Sequence, residues 1–293
     1  MILYLIYKNK NKTKMAEDSR KKAPLWWVSF LSGLAGGVGD TLFNYPPYGI
    51  HIRKERKDDL KWWKSSPRMI YCGATAYGLG MIPSTIIQLS ITDYTHEYLP
   101  RNIAAFLGGI SGALFYTPVG NIIVNQQKLM PLGIRVTPDT YIGMGKSISY
   151  IINTYGYKRF YTGLGPTMIR DGIYSTSVFS VTGSLKNKYS YIQNEHIKNI
   201  AIAIVLGSIT SFLSHPFDAI ATRMQDHEGK ISYMNIIKKM WNTEETTYKF
   251  QKIKTFYRGA AYRCYAVIAG ILVVENISSF TSDRLMKKLN DDI

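Results

Sequence analysis

The sequence predicts an all-α membrane protein with six transmembrane helices, grouped in three similar repeats. The first observation is a set of six apolar segments, each near the length that a helix needs to cross a bilayer. They cover about residues 25–52, 70–98, 101–128, 163–189, 196–225 and 258–288. The second observation is a glycine–proline pattern that recurs three times along the chain. Buried helices of soluble proteins have similar compositions, so the apolar segments alone leave that alternative open.

Composition and charge limit the classes of partner. Of the 293 residues, 46% are hydrophobic and 19% are charged, which is below the usual share of charge in soluble domains. The formal net charge of +16 predicts an acidic partner, for which nucleic acid, anionic lipid and an anionic substrate are candidates. Cys72 and Cys264 lie far apart and lack metal-ligand spacing. They predict neither a disulfide framework nor a zinc site.

Residues 1–24 form a basic N-terminal arm in this interpretation. The arm begins with the apolar run "MILYLIY", which precedes the lysines of "KNKNKTK". A secretory signal has the opposite order, with its charges first. A targeting role in mitochondrial import and a role as a disordered or partner-docked arm both remain open.

A pairing of glycine and proline nine residues apart defines the repeats. The pairs are Gly37 with Pro46, Gly109 with Pro118, and Gly207 with Pro216. Four residues before each glycine stands another small residue, namely Gly33, Ala105 and Ala203. Small residues at this spacing allow helices to approach closely in a membrane.

An aromatic-x-Gly triplet follows each of these prolines. The triplets are "YCG" at 71–73, "YTG" at 161–163 and "YRG" at 257–259. Because a proline inside a helix removes a hydrogen bond, each proline predicts a kink at the same level of helices 1, 3 and 5. The predicted repeats are 25–100, 101–192 and 193–293, and the first has a shortened segment between its two helices.

The third repeat carries a resemblance to a known family. The stretch "HPFDAIATRMQ" at 215–225 is similar to the Pro-x-acid-x-x-base signature of mitochondrial carriers, through Pro216 and Asp218 followed by Arg223 and Gln225. The resemblance covers about residues 25 to 288. It implies six transmembrane helices around a central cavity in the mitochondrial inner membrane, with short matrix helices and both termini toward the intermembrane space.

The charge of the first loop agrees with that orientation. The segment "RKERKDDLKWWKSSPR" after helix 1 holds seven Lys or Arg residues and three acids. The positive-inside rule places such a segment on the matrix side. Matrix loops that face anionic lipid therefore explain much of the net charge, and no nucleic-acid partner is expected.

The signature positions depart from the family pattern at the matrix end. In carriers, an acid and a base after each kink proline form a ring of ion pairs between helices. Here the acid positions hold Tyr48, Gly120 and Asp218, and the base positions hold His51, Ile123 and Ala221. The bracing glutamines persist as Gln127 and Gln225, whereas repeat one has Glu55. Since no lysine or arginine occupies a base position, the sequence predicts that no pair of the ring is complete.

The gate at the opposite end is also incomplete. The positions that hold an acid and a base in carriers are Asp93 with His96 in helix 2, and Gly183 with Lys186 in helix 4. A single bridge between Asp93 and Lys186 is conceivable. An exposed pair of this kind contributes about 0–1 kcal/mol.

Arg170 is the candidate substrate contact. Seven residues after each triplet glycine, where carriers display their main substrate contacts, this chain has Gly80, Arg170 and Ala266. Arg170 and the adjacent Asp171 resemble the pair of the amino-acid-type carriers of the family. The alternative interpretation is a mutually neutralising pair that lines the cavity.

The glycines at predicted helix starts are candidate lipid sites. The resemblance implies that cardiolipin phosphates bind at such starts, where backbone N–H groups and the helix dipole favour an anion. The candidates are Gly73, Gly143, Gly163 and Gly259, with Arg258 adding charge. The alternative is that each glycine only permits a tight turn.

Two functions remain possible from the sequence. The favoured hypothesis is a carrier-fold protein that has lost transport and serves as an accessory subunit of an inner-membrane complex, with respiratory-chain complexes as candidate hosts. The alternative is an active transporter of a small amino or keto acid that works by alternating access. The expected partners are cardiolipin and other protein subunits. No catalytic motif predicts an enzyme, and the lone "DHEG" at 226–229 predicts no metal site.

Overall fold

The computed structural model describes most of the predicted repeats. The described residues are 38–39, 41–56, 67–129, 142–189, 191–229, 231–242 and 249–272. Within these ranges all regular secondary structure is helical. The basic arm, most of the first apolar segment before Val38, and the end of the sixth segment lie outside the described residues.

The first part of the described chain is mostly helical. Residues 38–39 and 41–43 are helical and precede a turn at Asn44. The numbered helices are α1 (Tyr45–Glu55), α2 (Pro67–Ile70), α3 (Ala74–His96) and α4 (Arg101–Leu129).

The second part alternates long and short helices. They are α5 (Met144–Tyr155), α6 (Leu164–Thr176), α7 (Thr182–Lys188), α8 (Glu195–Asp226), α9 (Tyr233–Asn242), α10 (Lys249–Lys254) and α11 (260–272). Short 3₁₀ turns at Tyr157–Tyr161 and Thr255–Tyr257 precede α6 and α11, and a π-helical turn at Ser177–Val181 joins α6 to α7.

Three stretches of the described chain are long and apolar enough to cross a membrane. They are Pro67–His96, Arg101–Leu129 and Ile197–Asp226. These correspond to the second, third and fifth predicted segments. The total of six spans stays a prediction, and so do the boundaries of the three repeats.

The three repeat prolines occupy two kinds of position. Pro118 and Pro216 lie inside α4 and α8, and each helix continues on both sides of its proline. Pro46 lies in the first turn of α1, immediately after the turn at Asn44. A proline in the first turn costs little, because the N–H groups there have no partner within the helix. The predicted kinks stay predictions at all three positions.

Repeat glycines allow neighbouring helices to approach closely. A Cβ atom on Gly109 of α4 would lie 2.3 Å from the carbonyl oxygen of Asp171 in α6. A Cβ atom on Gly207 of α8 would lie 2.7 Å from the side chain of Ile268 in α11. Both distances are shorter than carbon contacts allow, so each of these helix pairs depends on the glycine. The small-residue spacing predicted this role correctly at both positions.

A cluster of tyrosines and aliphatic residues fixes α1 against α3 and α4. Tyr45, Tyr77, Tyr116 and Ile123 are buried in this cluster. The Tyr45 hydroxyl donates a hydrogen bond to the carbonyl of Cys72, just before α3. This packing sets the rotation of α1 and therefore determines which of its side chains point toward α8.

The polar and apolar faces of α8 are arranged as in a membrane helix. Its exposed face carries large apolar side chains, including Ile204, Ile209 and Phe212. Its buried face carries Thr210, Ser214 and Asp218. Apolar groups outside and polar groups inside suit a helix that lies between lipid and a polar interior.

Candidate functional site

The carboxylate of Asp218 is the centre of the candidate site. Asp218 lies two residues after Pro216 on α8, and it is 1% exposed. Arg170 Nη1 donates to its Oδ1 at 2.6 Å, and Arg263 Nη1 donates to its Oδ2 at 2.5 Å. His51 Nε2 lies 2.7 Å from the same Oδ2. One carboxylate thus joins α8 to α1, α6 and α11.

Arg170 is held by three different neighbours. Its Nε donates to Asp171 Oδ1 at 2.7 Å, while its Nη1 reaches Asp218. The guanidinium carbon lies 5.0 Å from the centre of the Tyr116 ring, within the range of a cation–π contact. The Tyr116 hydroxyl donates to that of Tyr48 at 2.7 Å. The structure therefore brings together the predicted Arg170–Asp171 pair and places it beside Tyr48, at a signature position of α1.

Arg263 is a site residue that the sequence reasoning missed. It lies on α11, one turn after Gly259 and three residues before Ala266. Its Nη2 donates to Ser214 Oγ at 3.1 Å, in addition to the contact of Nη1 with Asp218. The available signal was an arginine inside an apolar segment, which indicates function by default. The family spacing marks Ala266 as the substrate contact, so it does not point to Arg263 three residues earlier.

The charges of the site balance. Arg170 and Arg263 carry two positive charges, and Asp171 and Asp218 carry two negative charges, all on buried side chains. Buried charges are tolerated when they are paired and hydrogen-bonded, and they become costly when one partner is removed. Each group of this cluster therefore depends on the others.

The expectation that no acid–base pair of the matrix ring is complete was wrong for one pair. His51 occupies a base position of repeat one, and it contacts Asp218, the acid of repeat three. Lysine or arginine is expected at the base positions of a carrier, whereas the imidazole of His51 lies at one of them and is 2.7 Å from the carboxylate of Asp218. Asp218 therefore has three partners, namely Arg170, Arg263 and His51.

Two further polar residues extend this site beyond Asp218. Glu55 lies one turn after His51 on α1, with its Oε1 3.5 Å from His51 Nε2. His215 of α8 has its Nε2 3.9 Å from the same Glu55 oxygen. All three side chains are buried, so α1 and α8 share a polar contact at this level.

The bracing glutamines form hydrogen bonds between segments. Gln127 Nε2 donates to the carbonyl of Gly49 at 3.2 Å, which joins α4 to α1. Gln225 Nε2 donates to the carbonyl of Thr162 at 3.4 Å, which joins α8 to the turn before α6. These bonds strengthen the end of the molecule that contains Asp218.

The residues predicted for the gate at the opposite end of the molecule lie in the C-terminal parts of α3 and α7. Asp93 and His96 are exposed on α3, and His96 Nδ1 lies 3.3 Å from the carbonyl of Leu99. Lys186 is half-buried on α7. Their gating role and the Asp93–Lys186 bridge stay predictions.

Three of the predicted lipid-site glycines share one backbone conformation. Gly73, Gly163 and Gly259 precede α3, α6 and α11 with φ angles of 98°, 83° and 85°. Left-handed angles favour glycine, so the turn itself explains the residue at these positions. Gly143 precedes α5 with an ordinary φ of −71°. The half-buried Arg258 has its carbonyl 3.3 Å from His215 Nε2.

A cavity of about 600 Å³ opens beside the start of α6. It is lined by the turn that contains Tyr161 and Gly163, and by Glu228, Gly229, Ile231 and Tyr233 before and at the start of α9. Lys158 and Arg159 add positive charge to its wall. The Arg159 guanidinium also donates to the carbonyls of Gln225 and His227, which fixes it at the C-terminal end of α8.

Glu228 at the rim of this cavity is paired. Lys128 Nζ, at the end of α4, lies 2.8 Å from Glu228 Oε1. The hydrogen bond from Lys128 and the charge of its ammonium group lower the pKa of this exposed carboxyl. The carboxyl of Glu228 therefore stays ionised, and the ammonium group of Lys128 balances its charge. Lys158 and Arg159 then dominate the charge of the cavity wall.

Comparison with known proteins agrees with this arrangement. The family model described as "Mitochondrial carrier protein" matches residues 192–288, the part of the chain that contains Asp218 and Arg263. The mitochondrial substrate carrier family protein X of Dictyostelium discoideum is 26% identical over 172 residues, which are 55% of this chain and 55% of that protein.

Two further relatives are named for what they transport. The mitochondrial aspartate-glutamate transporter AGC1 of Saccharomyces cerevisiae is 23% identical over 80% of this chain and 28% of its own length. The human mitochondrial tricarboxylate transport protein is 25% identical over 75% of this chain and 72% of its own length. The chain thus spans about half of the Dictyostelium protein and less than a third of the yeast protein. These similarities, the long apolar helices and the repeated motifs together agree with membership of the mitochondrial carrier family.

Proposed function

We propose that this chain is a multi-pass protein of the mitochondrial inner membrane, with six spans, that transports a small amino or keto acid by alternating access. The observation that carries the proposal is the contact of Asp218 with Arg170, Arg263 and His51. Membership of the carrier family supports transport of small metabolites in general.

The two arginines suit a carboxylate substrate. Guanidinium groups bind carboxylates in a planar, often bidentate geometry. In this structure both arginines donate to one protein carboxylate, Asp218. A substrate carboxylate can take the place of Asp218 as their acceptor, because its charge and geometry are the same.

This replacement couples binding to a change of state. Asp218 holds α8 to α1, α6 and α11, so a substrate that takes over the arginines weakens those contacts. A ligand shifts a conformational equilibrium only through its different affinity for the two states. Competition for Arg170 and Arg263 supplies such a difference.

Asp171 adds a preference among carboxylates. It is buried next to Arg170, on the same turn of α6. A carboxylate beside an arginine offers one group for the acid and one for the amino group of an amino acid. The yeast relative is named for aspartate and glutamate, and a relative from Pongo abelii is named a 2-oxodicarboxylate carrier.

Uptake by the purified chain tests this proposal. The full chain is reconstituted in liposomes that contain cardiolipin, and uptake of radiolabelled amino, keto and tricarboxylic acids is measured. Arg170→Ala should reduce uptake by at least about tenfold, the loss expected when a charge-assisted contact of roughly 1.5–3 kcal/mol is removed. Arg101→Ala is the matched control, because Arg101 lies exposed at the start of α4. The absence of uptake across the panel, or equal losses in the two variants, would contradict the proposal.

The second candidate function is the accessory subunit without transport. The full pairing of the charges around Asp218 favours it, because a closed cluster also serves a rigid protein. This hypothesis predicts that the chain extracted in mild detergent migrates with a large complex in native gels. A monomer that is active in liposomes excludes it.

A further inference from the structure

We propose that His51, Glu55 and His215 form a binding site for one divalent transition-metal ion of the class to which Zn²⁺ belongs. The potential ligand atoms of the three side chains all lie within 4.8 Å of one another, and all three residues are buried. The proposal concerns metal binding alone, so it does not depend on the substrate or on transport.

The spacing of the ligand atoms is close to that of a zinc site. Zinc bonds of about 2.0–2.2 Å to nitrogen and oxygen place neighbouring ligand atoms about 3.3–3.6 Å apart in a tetrahedron. The distance from Glu55 Oε1 to His51 Nε2 is 3.5 Å, and that to His215 Nε2 is 3.9 Å. Because all three ligand atoms lie within 4.8 Å of one another, side-chain adjustments of up to about 1 Å bring the three groups onto one ion.

The helix geometry holds the ligands in place. His51 and Glu55 are four residues apart on α1, so they lie on the same face one turn apart. His215 immediately precedes Pro216 on α8 and faces them. The ion would therefore have two ligands from α1 and one from α8.

The carboxylate of Glu55 lacks the partners that a buried charge requires. Glu55 is 1% exposed, and among the described residues neither of its oxygens accepts a hydrogen bond of good geometry. The Thr222 hydroxyl interacts with this carboxyl, which leaves most of its capacity to accept hydrogen bonds unfilled. His215 Nδ1 is likewise without a hydrogen-bond partner in the described part of the chain, while its Nε2 lies 3.3 Å from the carbonyl of Arg258, a contact that an ion bound to Nε2 would replace. Leaving a buried acceptor unsatisfied is costly, and a bound cation removes that cost.

The second nitrogen of His51 is oriented as in metal-binding histidines. Its Nδ1 lies 3.4 Å from the carbonyl of Gly259. Histidines that bind a metal through Nε2 commonly have Nδ1 directed at a carbonyl in this way. His51 Nε2 is also 2.7 Å from Asp218 Oδ2, so an ion bound to Nε2 would take the place of this contact. Asp218 then lies beside the ion and offsets the charge of the nearby Arg263.

Sequence patterns do not reveal this site. The prediction of no metal rested on the lone "DHEG" stretch and the distant cysteines, whereas the three ligands come from two helices of different repeats. The visible sign was Glu55 at a position where repeats two and three have glutamine. An ion bound there would tie α1 to α8 and hold this end of the molecule closed.

Zinc titration of the full chain tests the proposal. The chain is purified in mild detergent with an affinity tag that contains no histidine, and free Zn²⁺ is set with a competing chelator. We expect one Zn²⁺ per chain, and X-ray absorption should show two imidazole ligands. His51→Ala and His215→Ala should each weaken zinc binding by more than about 100-fold. Loss of a residue that only hydrogen-bonds to a metal ligand typically weakens binding by about 10- to 100-fold, so the larger loss identifies both histidines as ligands. The double variant His96→Ala/His227→Ala, which changes two histidines outside the cluster, should bind as the wild type does.

Glu55→Gln separates metal binding from folding. Glutamine is the residue at the corresponding positions, Gln127 and Gln225, so this variant should fold. Without metal it should melt at or above the temperature of the wild type, since it removes an unsatisfied buried charge. With Zn²⁺ the wild type should gain thermal stability as the metal concentration rises, and Glu55→Gln should not. Equal zinc shifts in both proteins, or binding lost equally in the double control variant, would overturn the proposal.

Discussion

His51 Nε2 lies 2.7 Å from Asp218 Oδ2, although the two residues are 167 positions apart and belong to the first and third predicted repeats. This contact is the one acid–base pair of the matrix ring that the described residues retain. It also shows why Asp218 is not isolated: a histidine takes the place of the expected lysine or arginine. The interpretation that transport has been lost relied on the loss of both charge rings and of most cavity contacts, and this pair restores one contact of the first ring.

Asp218→Asn should strongly destabilise the protein. The substitution keeps the shape of the side chain but leaves Arg170 and Arg263 buried without their shared carboxylate. Breaking a buried ion pair in this way costs about 3–5 kcal/mol. Thermal unfolding in detergent, followed by intrinsic fluorescence, should show a large drop in melting temperature.

Glu228→Gln is the matched control for this variant. Glu228 pairs with Lys128 at 2.8 Å, but its side chain is 76% exposed. A pair of this kind contributes about 0–1 kcal/mol, so the control should melt close to the wild type. Similar losses in the two variants would show that the buried cluster does not hold the helices together.

Gly109→Ala should destabilise the contact between α4 and α6. The new methyl group would lie 2.3 Å from the backbone carbonyl of Asp171, which cannot move without displacing α6. Overpacking of this type costs about 1–3 kcal/mol. Gly145→Ala is the control, because its Cβ would meet no atom within 4 Å. That change in α5 should instead stabilise the protein by up to about 1 kcal/mol, since alanine favours helix. A Gly109→Ala protein that melts like the wild type would contradict the close approach.

The sequence predicted the close-packing glycines and the Arg170–Asp171 pair well, because both depend on local spacing. Gly109 and Gly207 lie at fixed distances before a proline, and helical geometry converts that spacing into a packing face. Adjacent residues such as Arg170 and Asp171 need no long-range contact to be recognised as a pair.

The partners of Asp218 could not be predicted in the same way. Contacts across helices depend on how each helix is rotated and on how far a long side chain reaches, and neither is visible in one sequence. Arg263 contacts Asp218, but it lies about one turn before Ala266, the position that the family pattern marks. His51 was at a marked position, but its imidazole was not counted as a base.

Arg263→Lys should weaken substrate binding without a large loss of stability. Lysine keeps the positive charge beside Asp218, but it cannot donate to both Asp218 and Ser214 with the planar geometry of arginine. If transport occurs, KM should rise by about tenfold with a smaller change in kcat, as expected for a contact made in substrate binding. Uptake kinetics in liposomes would measure this. An unchanged KM would place Arg263 outside the substrate site and leave it with a structural role.

Lys158→Gln should reduce cardiolipin binding at the cavity beside α6. Lys158 lines this cavity together with Arg159, and the start of α6 adds backbone N–H groups that favour a phosphate. Removal of one lysine near an anionic headgroup costs about 1 kcal/mol, or roughly fivefold in affinity. Lys146→Gln on α5 is the control, because Lys146 is exposed and lies outside the cavity lining. Native mass spectrometry of the detergent-purified chain should show less bound cardiolipin for Lys158→Gln than for Lys146→Gln. Equal cardiolipin occupancy in the two variants would contradict a lipid site at this cavity. Gly163 would then be explained by the left-handed φ of its turn alone.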